Sequence, residues 1–81
     1  MSQEPEYLVA IFTSLTQVMG SERILIERGI WHKLVPTPKR LSSECGVSIR
    51  FLPPDRDRLV QALDGRTRIL EIRPLPCAGR C

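Results

Sequence analysis

The sequence predicts an α+β domain with a ferredoxin-like β-α-β-β-α-β sandwich, in which two helices cover one face of a four-stranded antiparallel sheet. Short apolar runs rich in β-branched residues alternate in that order with two amphipathic stretches. The chain of 81 residues has the length of one small domain. We expect that domain over residues 6–73, with a flexible N-terminus at 1–5 and a flexible cysteine-containing tail at 74–81.

The first half of the chain has the pattern of a strand, a helix and a second strand. Residues 6–13 form an apolar run with β-branched and aromatic side chains, typical of a buried strand. Ser14 is suited to cap a helix over residues 15–28, and Gly29 is suited to end it. Residues 30–35 predict the second strand, which prolines then terminate. The helix positions at three-to-four spacing are Leu15, Val18, Met19, Glu22, Leu25 and Ile26.

The second half has the pattern of a strand, a helix and a final strand. Residues 47–52 alternate apolar and polar side chains, which predicts the third strand. Pro53 suits the first turn of a helix that ends at about Leu63. Residues 67–73 predict the fourth strand, and Pro74 is expected to end it. One face of the third strand would carry Val47, Ile49 and Phe51.

Composition excludes several classes of protein. The three cysteines are too few and odd in number for a disulfide scaffold, and no apolar run approaches the roughly 20 residues that cross a bilayer. The acidic N-terminus lacks the basic start of a signal peptide, so we expect a cytoplasmic protein with reduced thiols. The net charge of +3 comes from interspersed residues, and aromatic side chains are few, so we expect no nucleic-acid partner. We expect no membrane partner either.

The loop between the second and third strands carries the most specific signal. Residues 36–46 read PTPKRLSSECG, a proline-punctuated, serine-rich stretch with the adjacent cations Lys39 and Arg40. Cys45 comes directly before Gly46, where the loop enters a strand. Nearby positive charge lowers a thiol pKa or attracts an anion, which favours a presented, reactive thiol. The alternative interpretation is a solvated loop around a small buried cysteine.

Topology places this thiol relative to the first helix. In the predicted fold the first and second strands run parallel, so they end at the same end of the sheet. We therefore expect Cys45 near the end of the first strand and near Ser14, where the N-terminus of a helix stabilises a thiolate. The fourth strand ends at the opposite end of the sheet, so Cys77 and Cys81 would leave the domain far from Cys45.

Three segments together resemble a known family. They are Gly29-Ile30, the run 33–46 with its proline-x-proline, paired serines and cysteine-glycine, and Arg50-Phe51. Over residues 7–73 the chain resembles the family of small domains described as selenium/sulfur carrier protein-like. The resemblance implies that Cys45 carries sulfur or selenium as a persulfide or selenenylsulfide. It also implies sulfur or selenium donor and acceptor proteins as partners.

The remaining candidate residues have supporting or alternative roles. Ser42 and Ser43 would hydrogen-bond a terminal sulfur or form a serine turn. Cys77 and Cys81 are candidate resolving thiols, although the spacing also fits a small disulfide or no role. A four-ligand zinc site at Cys77 and Cys81 would need Cys45 and His32 to complete it, and we expect no metal and no cofactor.

The sequence predicts a carrier or chalcogen-transfer accessory protein, rather than an autonomous enzyme. No paired carboxylates, phosphate-binding glycine loop or Ser-His-Asp arrangement is visible. The alternative is a small non-enzymatic regulatory or interaction module that binds an anion or acidic partner through its basic loop, with Lys39, Arg40 and Arg50. The second strand, after Trp31, is a candidate exposed edge through which a homodimer would form.

Overall fold

The computed structural model describes residues 7–37 and 46–75. These residues form four strands, two helices and one short 3₁₀ turn. In chain order they are β1 (Tyr7–Ile11), α1 (Leu15–Arg28), β2 (His32–Pro36), β3 (Val47–Phe51), the 3₁₀ turn Pro53–Asp55, α2 (Arg56–Leu63) and β4 (Glu71–Leu75).

The four strands form one antiparallel sheet in the order β2-β3-β1-β4. β1 and β2 each pair antiparallel with β3, so they run parallel to each other on either side of it. Both helices contribute to one core with the sheet. The α+β class is confirmed, and the arrangement is consistent with a ferredoxin-like sandwich.

The core lies between one face of the sheet and the two helices. From the sheet it takes Ala10, Ile49 and Phe51, which alternate with residues of the opposite face along β1 and β3. The alternation predicted for the third strand is confirmed, because Ile49 and Phe51 are fully buried and Val47 packs against them. The helices and their flanking residues contribute Phe12, Val18, Ile24, Leu25, Ile30, Leu59, Ala62 and Leu63.

The bounds predicted for α1 are confirmed. The backbone N–H of Gln17 donates to Ser14 Oγ at 3.3 Å, which caps the helix start. Gly29 ends the helix in the left-handed conformation, with φ 68°. Its N–H and that of Ile30 donate to the carbonyls of Ile26 and Leu25, the paired bonds of a Schellman motif.

The packed face of α1 differs from the predicted one. Leu15, Met19 and Ile26 belong to the predicted pattern but are more than half exposed. Ser21, which the apolar pattern omits, is fully buried, and its hydroxyl donates to Thr67 Oγ1 at 2.7 Å. The apolar residues of α1 cover a wide arc, and this long-range hydrogen bond turns the serine toward the core. The buried positions are Val18, Ser21, Ile24 and Leu25.

β1 and β2 occupy different bounds from the predicted ones. β1 ends at Ile11 instead of residue 13, because the chain turns there toward Ser14. β2 begins at His32 instead of residue 30, because the N–H of Ile30 is already bonded in the cap of α1. It also includes Pro36, which lies opposite Val47 in the register. β2 is an edge strand, and an edge strand accommodates a residue without an N–H.

The second helix and the last strand begin later than predicted. The prolines at 53 and 54 form a 3₁₀ turn, and α2 follows from Arg56. β4 begins at Glu71 instead of residue 67 and continues through Pro74, which again is tolerated at an edge. Two of the residues before it bond elsewhere: the backbone N–H of Thr67 donates to the carbonyl of Leu63, and that of Arg68 donates to Gln17 Oε1 at 2.9 Å.

Candidate functional site

Two of the predicted site residues, Gly46 and Ser14, lie among the described residues. The others lie outside them, and so do the predicted flexible N-terminus and residues 76–81 of the predicted tail, whose first two residues, Pro74 and Leu75, belong to β4 instead. The predicted site residues that lie outside the described ranges are Lys39, Arg40, Ser42, Ser43, Cys45, Cys77 and Cys81.

Gly46 closes the connection between β2 and β3 on the β3 side. Its carbonyl accepts the backbone N–H of Thr37 at 2.9 Å, one step beyond the pair Pro36 and Val47. Gly46 is exposed, and a Cβ built on it would meet no atom of residues 7–37 or 46–75 within 4 Å. Its φ is not positive, so neither these residues nor the backbone conformation requires glycine here. Gly46 therefore offers an exposed backbone position directly after Cys45 in the sequence.

The end of β1, the start of β3 and the start of α1 lie at the same end of the sheet. Ala10 lies opposite Ile49, so the start of β3 lies beside the end of β1. The chain leaves β1 there and enters α1 after Ser14. Gly46, immediately before β3, consequently lies at the end of the sheet from which α1 starts.

Ser14 has a structural partner at this end. Its hydroxyl oxygen accepts a hydrogen bond from the backbone N–H of Gln17, so this N–H belongs to the helix cap. The first turn of α1 contains no acidic residue, so no negative charge there opposes the positive end of the helix dipole. The N-terminus of α1 is electrostatically suited to an anion such as a thiolate.

A pair of hydroxyl groups supports the start of β3. Thr37 Oγ1 and Ser48 Oγ lie 2.6 Å apart, and Ser48 is fully buried. The bond joins the last described residue before the loop to the strand after it. Sequence reasoning did not identify this pair, because both residue types are common in loops and their contact depends on the register of β2 against β3.

The opposite end of the sheet carries the start of the tail. Leu75 of β4 lies opposite Tyr7, the first residue of β1. Gly46, by contrast, lies at the end where β1 finishes. The backbone therefore leaves β4 at the end of the sheet away from Gly46.

A cation and two aromatic rings meet on the sheet face opposite the helices. The guanidinium carbon of Arg50 lies 4.2 Å from the ring centroid of Tyr7 and 5.8 Å from that of Trp31. The two rings stack with centroids 6.1 Å apart and an interplanar angle of 28°. We name these three residues the Arg50 cluster. The sequence placed Arg50 on this face, but the aromatic neighbours come from other elements and were not predicted.

The comparisons with known proteins give one match. Residues 7–75 match the family described as "Putative Se/S carrier protein-like". The chain belongs to this family. No curated protein and no solved structure matches the chain.

The match to the Se/S carrier-like family spans all the described elements of the fold, and Cys45 and Gly46 lie within the matched residues. The resemblance predicted from the sequence is thereby confirmed. The tail cysteines Cys77 and Cys81 lie beyond the matched residues. None of the described helices is long and apolar enough to cross a membrane. Within residues 7–37 and 46–75, no three histidine, cysteine or carboxylate side chains form a group that would hold a metal ion.

Proposed function

We propose that the protein is a sulfur or selenium carrier that holds the transferred atom on Cys45. The observation that supports this most directly is membership in the Se/S carrier-like family over a segment that includes Cys45. Donor and acceptor proteins for sulfur or selenium are its proposed partners, and the cytoplasm its proposed location.

The proposed sulfur step is an exchange between sulfur atoms without net oxidation. The Cys45 thiolate attacks the outer sulfur of a persulfide on a donor protein. A sulfur–sulfur bond forms at Cys45 as the bond in the donor breaks, and the donor cysteine leaves as a thiolate. An acceptor thiolate then attacks the outer sulfur on Cys45 and restores its thiolate. The selenium version replaces the transferred sulfur atom with selenium of the same oxidation level.

The described surroundings of residue 46 support this proposal. Exchange needs an accessible sulfur, and Gly46, the neighbour of Cys45 in the sequence, is exposed. It also needs a stabilised thiolate, and the N-terminus of α1 starts from the same end of the sheet without an acidic residue in its first turn. Lys39 and Arg40 add two cations to the loop sequence.

Intact-protein mass spectrometry tests the proposal. The reduced chain is incubated with a cysteine desulfurase and cysteine, and in parallel with the desulfurase and selenocysteine, so that the donor cysteine holds terminal sulfur or selenium at the zero-valent level. We expect the wild type to gain the mass of one chalcogen atom, and the double variant Cys77→Ser/Cys81→Ser to gain it equally. Cys45→Ser should gain none.

A reduction step separates sulfur loading from oxidation. One sulfur atom and two oxygen atoms add nearly the same mass, but dithiothreitol removes a persulfide and leaves a sulfinic acid. An adduct that survives reduction, or one retained in Cys45→Ser and lost without the tail cysteines, would contradict the proposal.

The alternative is a non-enzymatic module that binds an anion or an acidic partner. Its basic loop residues Lys39 and Arg40 lie outside the described residues, but Arg50 has no carboxylate partner within them. The two functions separate at Cys45: substitution by serine abolishes a carrier and leaves most of the affinity of a binding module.

A further inference from the structure

One row of residues across the sheet places three cations on the face opposite the helices. Lys33 of β2 lies opposite Arg50 of β3, which lies opposite Val9 of β1 and, through it, Arg73 of β4. Paired residues point to the same face of a sheet, and the core residues Ala10 and Ile49 occupy the other face. Val9 is fully buried, whereas Lys33 and Arg73 are exposed. The accessible part of this row is therefore positively charged.

The central cation of the row is held by aromatic rings. Arg50 lies over Tyr7 and close to Trp31, which is 46% exposed. Stacking orients the plane of a guanidinium and leaves its edge available for hydrogen bonds. Trp31 forms the exposed border of this arrangement.

The hydrogen-bonding capacity of Arg50 is not used within the described chain. Its Nε is buried and has no hydrogen-bond partner, and no carboxylate of residues 7–37 or 46–75 forms an ion pair with it. Lys33 likewise has no ion pair there, whereas Arg73 lies 3.8 Å from Glu71. The uncompensated charge of the row is thus concentrated at Arg50 and Lys33.

We propose that the Arg50 cluster, together with Lys33, binds a carboxylate-bearing acidic segment of a partner protein. A carboxylate accepts two parallel hydrogen bonds from an arginine, here from its two Nη atoms because Nε is buried, and an oriented guanidinium loses little entropy on binding it. Lys33, one strand away, would meet a second carboxylate of the same segment. Trp31 would contact the apolar part of the segment at the border.

A carboxylate fits this surface better than a nucleic acid does. Base recognition on a sheet requires aromatic faces that are free to stack on bases. One face of Tyr7 is covered by the Arg50 guanidinium, and its ring also stacks against Trp31. A single-stranded nucleic acid would have Trp31 as the exposed ring of this cluster on which to stack a base. An acidic segment would instead bind the cations directly.

The cluster lies within reach of the proposed carrier end. Arg50 is four residues along β3 from Gly46, a separation of about 13 Å in an extended strand. A partner docked on the cluster would extend to the end of the sheet where Gly46 precedes β3. The docking inference does not depend on chemistry at Cys45, and it is tested without that chemistry.

The fluorescence of Trp31, the single tryptophan of the chain, reports binding directly. The full chain carrying Cys45→Ser is titrated with a capped peptide of alternating glutamate and glycine, and with the same peptide carrying glutamine. In this background, a failure of carrier chemistry leaves the result unaffected. We expect a saturable fluorescence change with the glutamate peptide alone.

Substitutions then assign the site. Arg50→Gln should raise the Kd at least about tenfold, the effect of losing a charge-assisted hydrogen bond. Lys33→Gln, on an exposed side chain, should raise it less and provides a test that does not disturb the stacked rings. Arg66→Gln is the matched control, because Arg66 is exposed in the turn after α2 and should leave the Kd unchanged within about twofold.

Three results would overturn the inference. One is the absence of a saturable change with the glutamate peptide. A second is equal weakening by Arg66→Gln and by the two substitutions in the row, which would indicate general charge attraction. The third is tighter binding of a single-stranded oligonucleotide than of the peptide, with the same dependence on Arg50.

Discussion

Gly46 occupies a backbone position that other residues are able to adopt. Its φ is not positive, and no atom of the described residues lies within 4 Å of the place where a Cβ would stand. Two other glycines differ from it: Gly29 adopts the left-handed conformation, and Gly20 lies inside α1. Substitution by alanine therefore tests a different physical effect at each position.

At Gly46, we expect alanine to separate folding from transfer. The free energy of unfolding should change by no more than about 0.5 kcal/mol, because nothing is displaced. If partners approach closely over this glycine, the rate of chalcogen loading should fall. Urea denaturation and the loading assay measure the two effects. A large loss of stability would contradict the described geometry.

At Gly20 and Gly29, the same substitution should have opposite signs. A Cβ at Gly20 would lie 3.5 Å from Thr67 Cγ2, an ordinary contact, so Gly20→Ala should stabilise α1 by about 0.5–1 kcal/mol. Gly29→Ala should destabilise by about 1 kcal/mol, because φ is 68° there. Thermal unfolding of the two variants compares them directly, and equal signs would contradict the assignment of their conformations.

Single residues were predictable where their chemistry is local. Ser14 and Gly29 were identified as the bounds of α1 because capping depends on immediate neighbours. The buried Ser21 was not, because its partner Thr67 is 46 residues away in the sequence. The Arg50 cluster was missed for the same reason: the residues around its guanidinium come from β1 and from the segment before β2.

At the scale of elements, strand ends are decided by competition for backbone hydrogen bonds. The sequence pattern identified every strand, but Ile30 is bonded to the C-terminus of α1 and Arg68 to a side chain of the same helix. Both residues were predicted in strands. The partner of Ile30 is local and belongs to the cap at Gly29. The partner of Arg68 lies 51 residues away in the sequence, so a local pattern does not contain it. Pro36 and Pro74 extend β2 and β4 because both strands lie at edges.

The start of α1 offers a test at this scale. Ser14→Ala removes the acceptor of the Gln17 amide and should lower the free energy of unfolding by about 1 kcal/mol. Ser14→Asp should retain most of the stability, since aspartate also caps a helix, but it adds a negative charge at the end of the sheet proposed for the thiolate. Chemical denaturation measures stability, and the pH dependence of Cys45 alkylation measures the thiol.

We expect the aspartate variant to raise the pKa of the Cys45 thiol, because a nearby negative charge disfavours the thiolate. Alkylation at neutral pH should then be slower than in wild type, and Ser14→Ala should show a smaller change. Identical alkylation profiles in wild type and both variants would contradict the expectation that Cys45 lies near the start of α1.

In the whole molecule, different segments of the chain lie at the two ends of the sheet. The start of α1 and Gly46 lie at one end, and the backbone leaves β4 at the other. We therefore expect the sulfur on loaded Cys45 to persist equally long in wild type and in Cys77→Ser/Cys81→Ser. Time-resolved mass spectrometry after removal of the donor measures this lifetime. A longer lifetime in the double variant would assign Cys77 or Cys81 a resolving role.

The central claim is that Cys45 holds a chalcogen atom that can be passed on. The most direct measurement is transfer from the loaded, donor-free protein to cyanide, which takes the outer sulfur of a persulfide as thiocyanate. We expect one thiocyanate per loaded chain, with simultaneous loss of the added mass, and none from Cys45→Ser. Thiocyanate released equally by Cys45→Ser, or an added mass on Cys45 that cyanide does not remove, would contradict it.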